Sequence, residues 1–369
     1  MLDITKRVDD IYKTLHVMPE APFSEYRTAE YVATALKKAG YEVKTGVGRT
    51  GVVGMMKSSK PGPTVALRAD MDALSHTVKG KDVFVHSCGH DSHCAMVLTA
   101  AEVLAAQGIK AGTLKILFQP AEEILTGALA MIEAGAADGI DILFGIHLRP
   151  IQEARTGQAT PAVYHGASFI MEAAVTGLAA HGARPHLGIN AIDAASAVVQ
   201  AVNAIRLNPI VPWSVKTTRL HAGGRVLNVI PDRAELSFDL RAQSNTSAEE
   251  LIEKVKQAVA SGAATVGAKV EATVKGGVPA AEYDTALIEI ARQAITAVLG
   301  PAGLLEPLLT PGGEDYHYFT KKVLGLRAAY IGLGCDLEPG LHHPDMHFNL
   351  AALPKGVAIL LKAIESSLV

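Results

Sequence analysis

The stretch Val85-His86-Ser87-Cys88-Gly89-His90-Asp91-Ser92-His93 is the densest group of metal-binding residue types in the chain. It holds three His, one Cys and one Asp, and an apolar, alanine-rich helical pattern follows from Cys94 to Ala106. A thiolate and an imidazole two residues apart, at a turn loosened by Gly89, are typical ligands of a divalent metal. The stretch therefore predicts a metal site at a turn that leads into a helix.

The composition indicates a globular protein of about two domains. The chain has 369 residues, of which 49% are hydrophobic and 19% charged, so it can bury large cores. Its net charge of −3 does not suggest nucleic acid or an anionic membrane as a partner. Its three cysteines are too few for a disulfide framework.

The sequence predicts a cytoplasmic protein. Acidic residues occupy the positions near the N-terminus where a signal peptide has its apolar core. No apolar run reaches the roughly 20 residues that a membrane-spanning helix needs. We therefore expect no membrane association.

Short runs rich in Val, Ile and Leu are typical of buried parallel strands. They are Thr64–Leu67, Thr113–Phe118, Ile140–Ile146 and Ala328–Leu333. Helical patterns alternate with them, at Ala29–Ala39, Cys94–Ala106, Ala128–Ala134, Ala286–Val298 and Leu353–Ser366. This alternation predicts an α/β fold with a mainly parallel sheet and helices on both faces.

A segment between these runs has a different pattern, in which strands and helices follow in the order βαββαβ. Its elements are Phe169–Thr176, Asn190–Leu207, Ser214–His221, Ala234–Arg241, Ser247–Ala260 and Val270–Lys275. This order is that of a complete two-layer α+β domain. We therefore expect an inserted domain at 165–277, which divides the main domain into parts at 1–164 and 278–369.

Side chains that can bind metal follow each of the predicted parallel strands. In chain order they are Asp70 and Asp72, Glu122 and Glu123, His147, and His342 and His343. In open α/β sheets, ligands bind beyond the carboxyl ends of the strands. We therefore expect these side chains to meet Cys88 and His90 in one pocket.

At these residues the chain resembles the two-metal aminoacylase, carboxypeptidase and desuccinylase family of metallopeptidases. Within it the chain is most similar to the N-acyl-amino-acid amidohydrolase branch, which includes hippurate hydrolases and indole-acetyl-amino-acid hydrolases. The motifs that carry the resemblance are Leu15-His16, Pro19-Glu20, Phe23-Ser24-Glu25, Leu67–Leu74, Ser87–Asp91, Phe118–Glu123, His181–His186, Asn228–Asp232, Gly313–Tyr316 and Leu341–Pro344. Ser75-His76-Thr77 departs from the pattern, because the family usually has Pro and soon a Glu there.

The resemblance implies a site for two divalent ions. Its implied ligands are Cys88, His90, Glu123, His147 and His342, with Cys88 as the bridge. His343 competes with His342 for the last of these positions. Asp72 is implied to orient an imidazole ligand. Thiolate and imidazole favour Zn, whereas the carboxylates leave Mn, Co or Ni open.

The resemblance also implies catalytic and substrate-binding roles. Glu122 is the implied general base, which takes a proton from the attacking water and passes it to the leaving amine. His181, from the partner subunit of a homodimer, is implied to stabilise the oxyanion. Asn228 and Arg241 are implied to hold the substrate carboxylate, which an arginine can bind through two parallel hydrogen bonds. A surface ion pair, which is common at the end of a strand, is the alternative for Arg241.

The predicted function is therefore a metal-dependent amidohydrolase of N-acyl amino acids that dimerises through the inserted domain. A dipeptidase or carboxypeptidase of the same fold is one alternative. A cysteine hydrolase with Cys88 as nucleophile is a second, and a non-catalytic metal-binding dimer is a third.

Overall fold

The computed structural model describes residues 2–368, which form two compact units. The larger unit comprises residues 2–164, Glu282–Leu309 and 315–368. The smaller unit comprises His165–Ala281 and Thr310–Glu314. None of the described helices has the length and apolarity needed to cross a membrane.

The secondary structure alternates between helices and strands along most of the chain. The helices are α1 (Ile4–His16), α2 (Tyr26–Lys38), α3 (His90–Gln107), α4 (Gly127–Glu133), α5 (Ala191–Asn203), α6 (Asn245–Ala264), α7 (Thr285–Leu299), α8 (His317–Lys322) and α9 (Leu353–Ser367). The strands are β1 (Glu42–Val47), β2 (Gly51–Lys57), β3 (Thr64–Asp70), β4 (Leu74–Val78), β5 (Lys81–Val85), β6 (Thr113–Gln119), β7 (Ile142–Pro150), β8 (Ala159–Thr160), β9 (Val163–His165), β10 (Ala167–Thr176), β11 (Ala180–His181), β12 (Trp213–Ala222), β13 (Val229–Ile230), β14 (Arg233–Ala242), β15 (Lys269–Val278), β16 (Leu308–Thr310) and β17 (Arg327–Leu337).

The larger unit is built on one sheet with the strand order β1-β2-β6-β3-β7-β17-β8. Its four central strands, β6, β3, β7 and β17, are parallel to one another. The flanking strands β1, β2 and β8 pair antiparallel. The four central strands are the predicted Val-, Ile- and Leu-rich runs, so the predicted mainly parallel α/β sheet is confirmed.

Helices cover both faces of this sheet. Leu67, Ile116 and Phe144 lie in a core shared with α1, α2, α3, α7 and α9. The alternate residues Ala66 and Leu143 lie in a second core shared with α4 and α8. Because successive strand residues point to opposite faces, two-sided burial requires apolar residues at every position.

Helix α3 begins at His90, earlier than the predicted start at Cys94. Gly89 precedes it with φ of 89°, a left-handed conformation that glycine adopts without strain. The residues of the first turn are buried although they are polar. Because the helix was predicted from the spacing of apolar residues, this turn was not included in it. As a result, His90 and His93 project from the first turn of a buried helix.

The smaller unit is an antiparallel sheet with the strand order β12-β14-β10-β15. Helices α5 and α6 pack on it around a core that includes Val198, Phe238 and Val255. The two helices approach so closely that a Cβ on Gly262 would lie 2.7 Å from the Val198 Cα. The order β10-α5-β12-β14-α6-β15 confirms the predicted βαββαβ arrangement.

His317, the first residue of α8, should make the stability of the larger unit sensitive to acid. Burial, together with the positive charge of Arg68, lowers the pKa of its imidazole from 6.5 to about 3. The unfolded chain therefore binds a proton below pH 6.5 that the folded chain does not bind. Stability from this residue is present above the unfolded pKa and falls as the pH decreases from about 6.5 towards 3.

We expect a His317→Phe variant to lose this dependence, since phenylalanine does not titrate. Between pH 7 and pH 5, the free energy of unfolding of the wild type should fall by about 2 kcal/mol more than that of the variant. Urea denaturation of both proteins in the presence of a chelator measures the difference. Parallel pH profiles would show that the prediction is wrong.

Candidate active site

The predicted metal-binding side chains of the larger unit meet at the carboxyl ends of its parallel strands. Asp70 ends β3, and Glu122 and Glu123 follow β6. His147 lies in β7, beside the first turn of α3, which supplies His90. The positions follow from topology, since parallel strands bring their carboxyl ends to one edge of the sheet.

Cys88 belongs to two groups of potential metal ligands. Its Sγ lies 3.5 Å from the His147 Nε2. Ligand atoms of Cys88, His90 and His147 all lie within 4.8 Å of one another, and so do those of Cys88, Glu123 and His342. The thiol of Cys88 is thus shared by two groups of potential ligands.

The chemistry of this cluster fits divalent cations. Among residues 2–368, the buried His90 Nε2 and Glu123 Oε1 have no hydrogen-bond partner, and they lie 3.6 Å apart. Burial raises the pKa of Glu123 to about 7 and the pKa of Cys88 well above its usual range. A cation would satisfy these lone pairs and lower both pKa values, because it favours the charged form of each ligand.

Asp72 orients two of the candidate ligands. Its backbone oxygen and its Oδ1 lie 3.0 and 3.2 Å from the His90 Nδ1. Its Oδ2 accepts a hydrogen bond of 2.9 Å from the Glu123 amide. With Nδ1 donating to Asp72, the Nε2 of His90 presents its lone pair to the cluster.

A strained turn presents Glu122 and Glu123 side by side. Ala121 has φ of 53°, which is uncommon for a residue other than glycine. Gly127 closes the turn, and a Cβ there would lie 1.6 Å from the Pro120 carbonyl oxygen. The carboxylates of Glu122 and Glu123 reach to 3.9 and 3.6 Å from the His90 Nε2.

The side chains of Glu123 and His342 lie close together in the cluster. The His342 Nε2 lies 3.6 Å from the Glu123 Oε2. His343, by contrast, accepts a hydrogen bond at Nδ1 from the amide of Asp345. Of these two neighbouring histidines, His342 is thus the one whose Nε2 lies beside the Glu123 carboxylate.

In the smaller unit, His181 and Asn228 lie together. His181 pairs with Val229 between β11 and β13, and the Gly182 amide donates to the Asn228 carbonyl at 2.7 Å. The Ala183 amide donates to the His181 Nδ1 at 3.1 Å. In the neutral imidazole the proton is therefore on Nε2, which can act as a hydrogen-bond donor.

Arg241 lies far from this pair within the same unit. Asn228 precedes β14, whereas Arg241 lies near its other end and pairs with Ser168 at the start of β10. At about 3.3 Å per residue, β14 separates the two by roughly 25 Å. The Arg241 Nε contacts both carboxylate oxygens of Asp239, at 3.0 and 3.2 Å. One copy of the chain therefore cannot apply Asn228 and Arg241 to the same carboxylate.

Comparison with known proteins supports the interpretation of this site. The sequence profile described as Peptidase family M20/M25/M40 matches residues 66–366. The chain belongs to this peptidase family. The predicted family and the prediction of a hydrolase acting on amide bonds are both confirmed.

Two relatives and one solved structure are similar to this chain over most of its length. Thermostable carboxypeptidase 1 of Saccharolobus solfataricus is 33% identical, over 91% of this chain and 88% of its own. Hippurate hydrolase of Campylobacter jejuni is 30% identical, over 98% of this chain and 97% of its own. The structure of a Bacillus subtilis protein, described as a dinuclear metal-binding peptidase of the M20 family, matches with a TM-score of 0.83 and 26% identity, over 99% of this chain and 98% of that one.

Sequence reasoning gave no functional role to a buried polar network beneath the M20 metal-binding cluster. Arg68 is 1% exposed, and its guanidinium contacts Asp70 at 2.6 Å and Asp315 at 3.0 Å. Asp70 in turn contacts the His93 Nδ1 at 2.7 Å. The available signal was an arginine inside an otherwise apolar parallel strand, where a charge has to be paired.

Proposed function

We propose that the larger unit binds two divalent cations and hydrolyses the amide bond of N-acyl amino acids. In this proposal the cations would be held by Cys88, as the shared ligand, together with His90, Glu123, His147 and His342. The observation that carries the proposal is the presence of Cys88 in two ligand groups at one edge of the sheet. Zn is the favoured metal, with Mn, Co or Ni as alternatives.

Glu122 is the proposed general base. When bound, such cations supply a Lewis acid and lower the pKa of water. The carboxylate of Glu122 takes a proton from the attacking water and delivers it to the nitrogen of the leaving amine. Glu122 is 6% exposed and lies on the same turn as Glu123, so its carboxylate is held beside the cluster while its neighbour binds metal.

A homodimer formed through the inserted domain, 165–277, completes this proposal. His181 of a second copy would donate from Nε2 to the oxyanion that develops on the substrate carbonyl. Asn228, beside His181, would bind the substrate carboxylate. Arg241 can join Asn228 on that carboxylate only if the two residues come from different copies. Residues 1–164 and 278–369 form the proposed catalytic domain.

A carboxypeptidase or dipeptidase is the second candidate, and the similarity to a carboxypeptidase of Saccharolobus solfataricus favours it. We prefer N-acyl amino acids because the Cys88 motif resembles that of the amidohydrolase branch. We also propose a cytoplasmic location, since its three cysteines are free and unpaired thiols are typical of reducing compartments.

Metal analysis combined with a substrate screen tests the proposal. The protein is stripped with a chelator, reloaded with Zn, Mn, Co or Ni, and assayed on N-acetyl and N-benzoyl amino acids. Dipeptides with the same C-terminal residues are the matched comparison. We expect two equivalents of metal and at least tenfold higher kcat/KM on the N-acyl series.

Three outcomes would contradict the proposal. Higher kcat/KM on dipeptides would support the peptidase alternative. Full activity after metal removal, together with inactivation by a thiol-alkylating reagent, would support a cysteine hydrolase. Metal binding without hydrolysis of either series would support a non-catalytic dimer.

A further inference from the structure

Both ring nitrogens of His93 are engaged in hydrogen bonds inside the larger unit. Its Nε2 lies 3.1 Å from the amide nitrogen of Leu148, and its Nδ1 lies 2.7 Å from the Asp70 Oδ1. Because a backbone amide can only donate, the Nε2 of His93 must carry the lone pair. The proton of the neutral ring is then on Nδ1 and is donated to Asp70. His93 therefore has no lone pair left for a metal ion.

Leu148 directly follows the candidate ligand His147, and the His147 ring forms a hydrogen bond with the backbone of Leu148. The His147 Nδ1 lies 2.6 Å from the Leu148 carbonyl oxygen, so this nitrogen donates. The His147 Nε2 consequently presents its lone pair towards the Cys88 Sγ, 3.5 Å away. The backbone around Leu148 thus determines the tautomer and the direction of the His147 ring.

The His93 side chain accepts a backbone hydrogen bond that a neighbouring strand would otherwise accept. β3 pairs with β7 only as far as Gly145, so the sheet gives no β3 partner to the Leu148 amide. The His93 Nε2 accepts from this amide instead. The rings of His93 and His147 also pack together, with their centroids 4.3 Å apart.

The position of His93 is itself held by buried charges. Asp70, which accepts from His93, is fully buried and contacts the Arg68 guanidinium at 2.6 Å. Arg68 also donates to Gln119 at 2.9 Å. Because these groups are buried and mutually paired, they hold the His93 ring at a defined position.

We propose that His93 is a positioning residue that fixes His147 as a metal ligand, through the Leu148 amide and through ring packing. The inference rests on the proposed two-metal site. It assigns to His93 a role in the affinity of one cation, the one that His147 binds, rather than in the proton transfers of the reaction.

Metal affinity tests the role of His93 without any measurement of activity. A His93→Phe variant keeps an aromatic ring but removes both hydrogen bonds. We expect it to bind one equivalent of Zn about 10- to 100-fold more weakly and the other as the wild type does. Competition with a chromophoric chelator gives both affinities. The absorption spectrum of the cobalt-loaded protein should change for one site only.

Three further variants separate positioning from general destabilisation. His317→Phe makes the same substitution at another buried histidine of the larger unit and should leave both affinities unchanged. His93→Gln can still accept from the Leu148 amide and should retain most of the affinity. His93→Asn is shorter, can reach only Asp70, and should lose affinity as His93→Phe does. If His93→Phe does not fold, the comparison of His93→Gln with His93→Asn tests the positioning role by itself.

The outcomes distinguish the inference from the proposed function. If the wild type binds fewer than two equivalents of Zn, the proposed two-metal site is wrong. If the wild type binds two equivalents and His93→Phe and His93→Asn bind both with wild-type affinity, the two-metal site stands and the positioning role is overturned. Equal weakening of both equivalents would also overturn it.

Discussion

A Glu122→Gln variant should lose about 100- to 10,000-fold in kcat and still bind two equivalents of metal. Glutamine has nearly the same shape as glutamate but cannot accept a proton from water. The substitution leaves the proposed ligands unchanged, because Glu122 is not one of them. Its neighbour Glu123 keeps its carboxylate 3.6 Å from the Nε2 atoms of His90 and His342. Activity on the best N-acyl amino acid and metal content, measured on the same preparation, check the prediction.

Two matched substitutions serve as controls for Glu122→Gln. Glu133→Gln, at an exposed position of α4, should leave kcat and metal content unchanged. Glu123→Gln should lower metal content, because it removes the charge of a proposed ligand. If Glu122→Gln keeps its kcat, or if it loses metal while Glu123→Gln does not, the roles assigned to the two glutamates are wrong.

The parallel sheet and its ligand-bearing edge were predictable from local sequence. Buried parallel strands such as β3 and β6 need apolar residues on both faces, which produces short continuous runs. Polar residues directly after such a run, as at Glu122 and Glu123, lie at the edge of the sheet where ligands bind. At β6 both signals are contained in the 11 consecutive residues from Thr113 to Glu123.

The buried polar network was not predictable in the same way. Arg68 and Asp315 are 247 positions apart, and neither position reveals the other through periodicity. The start of α3 at His90 depends on the burial of a polar first turn, which has no apolar pattern. The separation of Asn228 from Arg241 depends on the direction of β14 in the folded sheet. In each case the deciding interaction is tertiary.

Glu25 shows the same limitation, since sequence reasoning included it in a motif without a role. Its fully buried carboxylate joins three segments of the larger unit. It accepts hydrogen bonds of 2.9 Å from the amides of Phe23 and Ala121, and a further one from the Thr50 hydroxyl. Phe23 and Ala121 both have left-handed backbones, with φ of 59° and 53°. One carboxylate thus stabilises two strained turns, of which one carries Glu122.

We therefore expect Glu25→Ala to lower the free energy of unfolding by about 2 to 6 kcal/mol, because the two buried donors, the Ala121 amide and the Thr50 hydroxyl, each lose their acceptor at about 1 to 3 kcal/mol. Glu25→Gln should lower it by about 1 kcal/mol, since its amide oxygen can still accept from both backbone amides. Burial raises the pKa of Glu25, so the loss of its charge also removes a desolvation penalty. Urea denaturation of the metal-free proteins measures both values. Similar losses for the two variants would mean that packing, rather than the acceptor oxygen, gives Glu25 its role in holding the turn that presents Glu122.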